Sequence, residues 1–241
     1  LVKPFSTPEF IARVRALFAL PGFHRVQRGA EVALESIAAA LAKRPDWDVT
    51  VVGSGRPGPD RGYRYVRAGC IPRERFTRWP KIPALRDHYA YEELTFLPGV
   101  FRRCRSRDYD VTITCGYPWL NWALRANRRA GRPAHVFVTQ NGDWPVHAGN
   151  REYRWFGCDG LVCTNPEFFE RNRSRWPSVL IPNGVDTTVF FPGKGDRTLL
   201  GVPEGVPLIL MVSALIPSKR VVEGIRAAAG VPEAHLVVLG E

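Results

Sequence analysis

The chain has 241 residues, 45% of them hydrophobic and 24% charged, which excludes disordered, collagen-like and coiled-coil proteins. No apolar run approaches the roughly 18–20 residues that a membrane-spanning helix needs. The five cysteines form no C-x-x-C pair, so they predict reduced, mostly buried thiols rather than a zinc site. We therefore expect a globular cytoplasmic protein.

The positive charge is concentrated in one segment. The formal net charge is +11, and residues 61–135 hold 16 Lys or Arg against 6 Asp or Glu. Arginine dominates this segment, and its planar guanidinium suits phosphate and carboxylate groups. The segment is either a solvated surface or a face that meets lipid headgroups, a phosphorylated acceptor or nucleic acid. Because no known nucleic-acid-binding module is present, we expect no nucleic acid, and peripheral contact with an anionic membrane through residues 61–135.

Patterns typical of strands and helices alternate along the chain. Short apolar runs predict strands, and apolar residues three and four positions apart predict helices. Strands are predicted at 16–20, 48–52, 63–67, 110–114, 134–139, 160–163, 178–181, 207–212 and 235–239. Helices are predicted at 31–43, 88–107, 118–129, from 165 onward and at 219–229, with residues 70–87 irregular.

Three local signals add detail to these elements. Leu34, Ile37 and Leu41 fall on one face of the first helix, which predicts its buried side. Pro98 inside the second helix predicts a kink or a break. Asn165, followed by a proline, is expected to be the N-cap of a helix.

The alternation of strands and helices predicts an α/β fold with a doubly wound parallel sheet. We assign residues 1–190 to an N-terminal Rossmann-like domain, 191–206 to a connector and 207–241 to the first βαβ unit of a second Rossmann-like domain. Residues 53–58, Gly-Ser-Gly-Arg-Pro-Gly, match the spacing G-x-G-x-x-G. A dinucleotide site needs a helix directly after this motif, whereas here another strand follows, so we expect a turn.

Residues 181–186, Ile-Pro-Asn-Gly-Val-Asp, resemble a signature of group-1 (family four) retaining glycosyltransferases of the GT-B fold. Three other stretches resemble family motifs in the right order. They are Arg-Gly-Ala-Glu at 28–31, Phe-Phe-Pro at 190–192, and residues 209–220, which end in Ser-Lys-Arg. The chain is identified on these residues as a C-terminally truncated member of that family.

The resemblance implies two Rossmann-like domains, the first binding an acceptor and the second a nucleotide-diphosphate sugar. It implies transfer of a hexose to an unknown acceptor with retention of configuration, in bacterial-type cell-envelope, polysaccharide or glycolipid synthesis. The nucleotide sugar is then a co-substrate, and no metal or other cofactor is implied. Without a metal, the leaving diphosphate must be neutralised by cationic side chains, helix N-termini and backbone N–H groups.

The resemblance also assigns residues to the donor phosphates. These residues are Lys219, Arg220, Ser213, Gly29 and Arg28. The family's arginine position is occupied by Ala214 here, and Arg220 is expected to supply the missing positive charge.

Other residues are assigned to the transferred sugar and to the domain junction. Asn141, Asp143 and His147 follow the strand at 134–139 and are expected to be catalytic. A structural turn role remains the alternative for these three. The residues expected to shape the turn near the junction are Asn183, Gly184 and Asp186. The alternatives for Trp119, Trp122 and Trp144 are stacking on sugar or packing in a core or interface.

The family's Glu-x7-Glu segment, which holds the donor ribose and sugar, has no counterpart before Glu241. We therefore expect residues 1–241 alone to lack a complete donor site and to be inactive. Two other interpretations remain, a nucleotide-sugar epimerase of the same fold and a non-catalytic basic fragment that binds anions. The expected location is the cytoplasm, with peripheral contact at the inner face of the membrane.

Overall fold

The computed structural model describes residues 13–125, 133–140, 155–193, 195–216 and 219–240. The chain divides into two compact units, residues 1–184 and residues 185–241. We call them the first unit and the second unit, and each is described by itself.

Both units consist of strands and helices in alternation. The strands are β1 Val14–Ala19, β2 Trp47–Gly53, β3 Arg64–Arg67, β4 Val111–Thr114, β5 Ala134–Thr139, β6 Gly160–Cys163, β7 Ser178–Leu180, β8 Leu208–Val212 and β9 His235–Leu239. The α-helices are α1 Gly29–Ala42, α2 His88–Arg103, α3 Trp119–Arg125, α4 Pro166–Asn172 and α5 Val221–Ala228. Short 3-10 helices lie at Arg73–Phe76, Ser106–Asp108 and Thr198–Leu200.

The first unit contains a seven-stranded sheet in the order β3-β2-β1-β4-β5-β6-β7, and every pair of neighbouring strands is parallel. The chain runs from β1 outward to β3 and then returns to β4 on the other side of β1. The order of strands therefore reverses between β1 and β4, which is the switch point of a doubly wound sheet. The predicted α/β fold is confirmed.

Helix α1 covers the sheet with a buried face that differs from the prediction. Leu34 and Ala38 are fully buried and Glu31 is buried with them, but Ile37 is 39% exposed. The predicted apolar stripe is therefore wrong at Ile37. The buried face is shifted because a carboxylate, Glu31, occupies one of its positions beside the end of β1.

A kink or a break was predicted at Pro98; helix α2 continues through this residue, which excludes the break. Phe96 and Val100 are buried on either side of the proline, and this packing holds the helix together where one backbone hydrogen bond is missing. Asp87 caps the N-terminus, since its Oδ1 accepts from the backbone N–H of Ala90 at 2.9 Å. The predicted cap of α4 is confirmed, because Asn165 Oδ1 accepts from the backbone N–H of Glu167 at 2.7 Å.

The second unit contains a βαβ arrangement in which β8 and β9 pair in parallel, with Leu208 beside His235 and Val212 beside Leu239. Helix α5 connects the two strands. A βαβ unit was predicted at this position, and its assignment to a second Rossmann-like domain stays a prediction.

Candidate functional site

The carboxyl edge of the first unit's sheet is the place where an open α/β sheet binds its ligands, at the switch point. Two connections meet there, the β1–α1 loop (residues 20–28) and the residues after β4 (115–118). The sequence put two of its candidate residues, Arg28 and Gly29, at this edge.

The β1–α1 loop is held in place by close contacts with the glycines of the G-x-G-x-x-G motif at residues 53–58. A Cβ on Gly53 would lie 2.4 Å from Phe23 Cβ, and one on Gly55 would lie 1.9 Å from the carbonyl carbon of His24. The backbone N–H of Gly58 donates to His24 Nδ1 at 3.2 Å. The G-x-G-x-x-G spacing thus lets the loop after β2 pack against the loop after β1. It opens no helix, as predicted.

His24 joins this packing to a polar network. Its ring stacks on Tyr65 at 3.9 Å between centroids. Because Nδ1 accepts from Gly58, Nε2 carries the proton, and it lies 2.8 Å from the hydroxyl of Tyr63 and 3.3 Å from Glu35 Oε1. The Tyr63 hydroxyl donates to the same Glu35 oxygen at 2.6 Å. Burial, and next this bond to Glu35, raises the pKa of Tyr63 well above its usual range.

Three arginines meet beside the β1–α1 loop, and we call Arg25, Arg28 and Arg73 the arginine cluster. Each of them contacts the carboxylate of Glu74, at 3.7, 2.9 and 3.6 Å respectively. Arg25 also forms an ion pair with the buried carboxylate of Glu92. Burial would raise the pKa of the Glu74 carboxyl, but its own backbone hydrogen bond and the three arginines lower it.

Two buried glutamates lie on the two sides of the switch point. A Cβ on Gly22, just after β1, would be 1.9 Å from Glu31 Oε1, and one on Gly116, just after β4, would be 2.7 Å from Glu93 Oε1. The two glycines therefore make room for two carboxyl groups. Burial raises the pKa of Glu31 and raises that of Glu93 to about 8. Burial and the nearby charges of both glutamates raise the pKa of Cys115.

Glu93 also holds the start of α3. Its Oε2 accepts from the backbone N–H groups of Trp119 at 3.0 Å and Leu120 at 3.2 Å. These bonds favour the carboxylate, whereas burial in the core favours the neutral acid, and burial is the stronger effect.

The structure places the five predicted donor-phosphate residues in two turns. Gly29 begins α1, where a Cβ would meet open space, and Arg28 at the N-cap position makes no side-chain cap. In the second unit, Ser213 directly follows β8, and Lys219 and Arg220 directly precede α5. The two turns belong to different units.

The two cations of the second unit differ from the arginine cluster. Among the described residues, neither the Lys219 nor the Arg220 side chain has a hydrogen-bonding or ion-pair partner. Arg220 has φ = 52°, in the left-handed region that favours glycine. Ser213 donates to the carbonyl of Ala214 at 3.3 Å.

The remaining predicted residues have mixed outcomes. Asn141, Asp143, His147 and Trp144 lie outside the described residues, so their roles stay predictions. Asn183 pairs with Gln140 through two amide hydrogen bonds of 3.0 and 3.2 Å.

Gly184 has open space around it, and Asp186 Oδ1 accepts from the backbone N–H of Thr188 at 2.9 Å. Trp119 and Trp122 pack edge-to-face at 5.2 Å and are partly buried, which supports packing over sugar stacking.

The sequence missed Arg25, Arg73, Glu74, Glu92 and Glu93. One signal was present, since Glu92-Glu93 interrupts the apolar pattern of α2. The partners of these residues come from distant loops, and no spacing rule connects them.

The family comparison identifies the class of protein. The model of Glycosyltransferase Family 4 matches residues 27–189, more than half of the chain, and the chain belongs to this family. No curated protein sequence is similar enough to count as a match.

Two solved structures support the fold. Sucrose-phosphate synthase from Thermosynechococcus elongatus matches with a TM-score of 0.67 and 16% identity, over 95% of this chain and 62% of that one. The N-terminal domain of Candida albicans trehalose-6-phosphate phosphatase matches with a TM-score of 0.51 and 13% identity, over 83% and 56%. The chain thus spans less than two thirds of each, and the likeness shows a GT-B-type fold.

The described residues contain neither a membrane-spanning helix nor a metal cluster. No helix there combines the length and apolar character that crossing a bilayer requires. Within the same residues, no group of three His, Cys, Asp or Glu is arranged to hold a metal ion. All five cysteines are free thiols, with Cys104 and Cys163 buried.

Proposed function

We propose that the protein transfers a sugar from a nucleotide-diphosphate sugar to an acceptor with retention of configuration. Family membership and the GT-B-type fold support sugar transfer. In this proposal the second unit binds the diphosphate through Lys219, Arg220 and Ser213, and the first unit binds the acceptor.

The turn before α5 is the observation that carries the proposal. Two cationic residues precede the N-terminus of a helix, where the macrodipole is positive and opposes them. Neither has a carboxylate partner among the described residues, and Arg220 also has an unfavourable backbone conformation. An anion bound at this turn compensates both cations and the exposed N–H groups of the helix. A diphosphate has the charge and the oxygens for this.

The reaction follows from these roles. The bond between the anomeric carbon and the diphosphate oxygen breaks, and the electron pair leaves with the diphosphate. Lys219 and Arg220 stabilise the negative charge that develops there, with Arg220 replacing the arginine absent at Ala214. The acceptor hydroxyl forms the new bond from the same face, and its proton passes to the departing diphosphate oxygen. We assign the contacts to the transferred sugar to Asn141, Asp143 and His147, and the hinge to Asn183, Gly184 and Asp186.

We also propose that the first unit docks on an anionic membrane from the cytoplasmic side, as part of bacterial-type envelope or glycolipid synthesis. Trp79 is 54% exposed, and the neighbouring side chains of Arg75, Arg78 and Lys81 are exposed as well. An indole beside cations suits the boundary of an anionic bilayer. Sedimentation with anionic vesicles that salt abolishes supports this docking, and equal sedimentation with neutral vesicles contradicts it.

Nucleotide binding by the full chain tests the main proposal. We expect calorimetry to detect UDP, GDP or ADP, and Lys219→Ala to weaken binding about tenfold or more, because a charge-assisted hydrogen bond contributes roughly 1.5–3 kcal/mol. Arg226→Ala is the matched control, since it removes an exposed positive charge from the last turn of α5. If no nucleoside diphosphate binds, or if both variants bind equally, the proposal is wrong. Because residues 1–241 alone are expected to be inactive, product stereochemistry by NMR tests retention in a protein that also contains the Glu-x7-Glu segment, with each nucleotide sugar in turn.

A further inference from the structure

In the arginine cluster, three positively charged side chains share one carboxylate. Arg25, Arg28 and Arg73 all contact Glu74, and the side chains of the three arginines are only 20, 24 and 17% exposed. The Glu74 side chain is 60% exposed. One exposed carboxylate therefore lies against three largely covered guanidinium groups.

Arg25 and Arg73 are fixed by contacts that do not involve Glu74. Arg25 Nε donates to Ser54 Oγ at 3.0 Å, and its guanidinium pairs with the buried Glu92. The guanidinium carbon of Arg73 lies 4.3 Å from the centre of the Tyr89 ring. The backbone N–H of Arg73 donates to Glu92 at 3.1 Å. These two arginines are thus held by groups other than the carboxylate at the centre of the cluster.

Glu74 lies on a four-residue 3-10 helix in a segment rich in arginine. Arg25 has its own buried partner, but Arg73 has no carboxylate partner except Glu74 among the described residues, and Arg28 has only one more, Glu31 at 3.6 Å. Burial raises the pKa of Glu31, while the charges of Arg28 and Arg73 act in the opposite direction. Without Glu74, the cluster would have excess positive charge facing the carboxyl edge of the sheet.

We propose that the arginine cluster is a subsite for a phosphate group carried by the acceptor, and that Glu74 occupies this subsite until the ligand displaces it. Three guanidinium groups offer more donors than one carboxylate can accept, and they match the terminal oxygens of a phosphate monoester. The cluster lies entirely in the first unit, whereas Lys219 and Arg220 belong to the second unit. The proposal therefore reassigns Arg28, which the family resemblance assigned to the donor phosphates, to the acceptor. The assignment to the acceptor rests on the proposed function, whereas the anion site itself does not.

Titration of the full chain with inorganic phosphate, at constant ionic strength, tests the site. Glu74→Gln is expected to bind phosphate about tenfold more tightly than wild type, because the competing carboxylate is removed. Arg73→Ala is expected to bind about tenfold more weakly, since it loses a charge-assisted bond. Arg73→Lys keeps the charge but not the planar fork, and is expected to be intermediate.

Matched variants separate the subsite from general charge effects. Arg175→Ala removes an exposed arginine of the first unit outside residues 61–135, and Glu170→Gln breaks an exposed pair with Arg173 in which both side chains are 60% exposed. Both are expected to bind phosphate as wild type does. Circular dichroism confirms that each variant is folded. Equal phosphate affinity in Glu74→Gln and wild type, or equal losses in Arg73→Ala and Arg175→Ala, would overturn the site.

A parallel titration with nucleoside diphosphate distinguishes acceptor from donor. We expect Arg73→Ala to leave nucleoside diphosphate binding unchanged while Lys219→Ala weakens it. If Arg73→Ala weakens it equally, the subsite belongs to the donor and the acceptor assignment is wrong. If no nucleoside diphosphate binds at all, the proposed function fails, while the phosphate titration still decides the anion site. Competition by glycerol phosphate assigns a soluble phosphate, and Arg73-dependent sedimentation with phosphatidic acid vesicles assigns a lipid-linked one.

Discussion

Two strand-to-helix turns of this chain each contain a non-glycine residue with positive φ, and the contacts that this residue makes differ between them. His24, in the β1–α1 loop, has φ = 58°, and Arg220, in the turn before α5, has φ = 52°. A non-glycine residue in this region has a cost of roughly 1–2 kcal/mol. The side chain of His24 offsets that cost by stacking on Tyr65 and bonding to Tyr63 and Gly58. The side chain of Arg220 has no such contact among the described residues.

The two turns also differ in how their charges are satisfied. The arginines of the β1–α1 loop are paired with carboxylates of the same unit, whereas Lys219 and Arg220 have none among the described residues. The difference indicates that the first turn is held in place by contacts within its own unit. Under the proposed function, the second turn keeps its strain and its positive charge for a diphosphate.

The strands that precede the two turns differ in how deeply their residues are buried. Ala16, Leu17, Phe18 and Ala19 of β1 are at most 1% exposed. In β8, no residue is buried, and Val212 is 73% exposed. Strand β1 therefore lies in a hydrophobic core of the first unit, and substitutions in the turn that follows it should have the larger effects on stability.

The largest expected effect comes from Gly55→Val. Its Cβ would lie 1.9 Å from the backbone of His24, and a backbone contact cannot move aside cheaply. We expect the free energy of unfolding to fall by more than about 3 kcal/mol in urea titrations. Gly29→Ala is the control, because its Cβ meets open space at the start of α1, and we expect a change within about 1 kcal/mol. Similar effects of both variants would show that the β1–α1 loop is not anchored as described.

The second expected effect is a pH dependence that belongs to the first unit. The pKa of Glu93 is raised to about 8 by burial, so the folded chain keeps a proton that the unfolded chain loses above its usual pKa near 4.5. The stability contribution is complete at low pH and is lost as pH rises through about 8. We expect a loss of about 2 kcal/mol between pH 6 and pH 7.5, at roughly 1.4 kcal/mol per pH unit.

Glu93→Gln tests this pH dependence. An amide keeps an oxygen for the N–H groups of Trp119 and Leu120, and it does not titrate. We expect the slope of stability against pH to flatten in this variant. Glu233→Gln, an exposed residue of the second unit, should leave the slope as in wild type. An unchanged slope in Glu93→Gln would assign the titration to another group.

The fold was largely predictable because its strands are continuous apolar runs between turn residues. Strands at 134–139, 160–163 and 235–239 were predicted with the observed bounds. The buried face of α2 was not predictable in the same way. Glu93 is buried because the start of α3 supplies N–H donors, and Glu92 is buried beside Arg25, which is 67 residues away in sequence.

The candidate site was predictable only in part, for the same reason. The position of Arg28 at the start of α1 followed from a motif, but its contact with Glu74 crosses 46 residues. The pairing of charges depends on which loops the sheet brings to one edge. Sequence spacing along a single element does not contain that information.

The smallest expected effect sharpens the comparison of the two turns most directly. Arg220→Gly removes the unfavourable conformation, so we expect the second unit to be stabilised by about 1 kcal/mol. The same substitution removes a cation from the proposed diphosphate site, so nucleoside diphosphate binding should weaken. His24→Gly also removes the cost of a non-glycine residue at positive φ. Because it loses the contacts with Tyr63, Tyr65 and Gly58, it should destabilise the first unit.

Hydrogen exchange of amides in β8 and in β1 measures the two stabilities separately in one sample. Opposite signs for stability and binding in Arg220→Gly mean that the strain at this turn is retained for the ligand. If Arg220→Gly lowers stability and leaves binding unchanged, the Arg220 side chain has a structural role, and the contrast between the two turns is not functional.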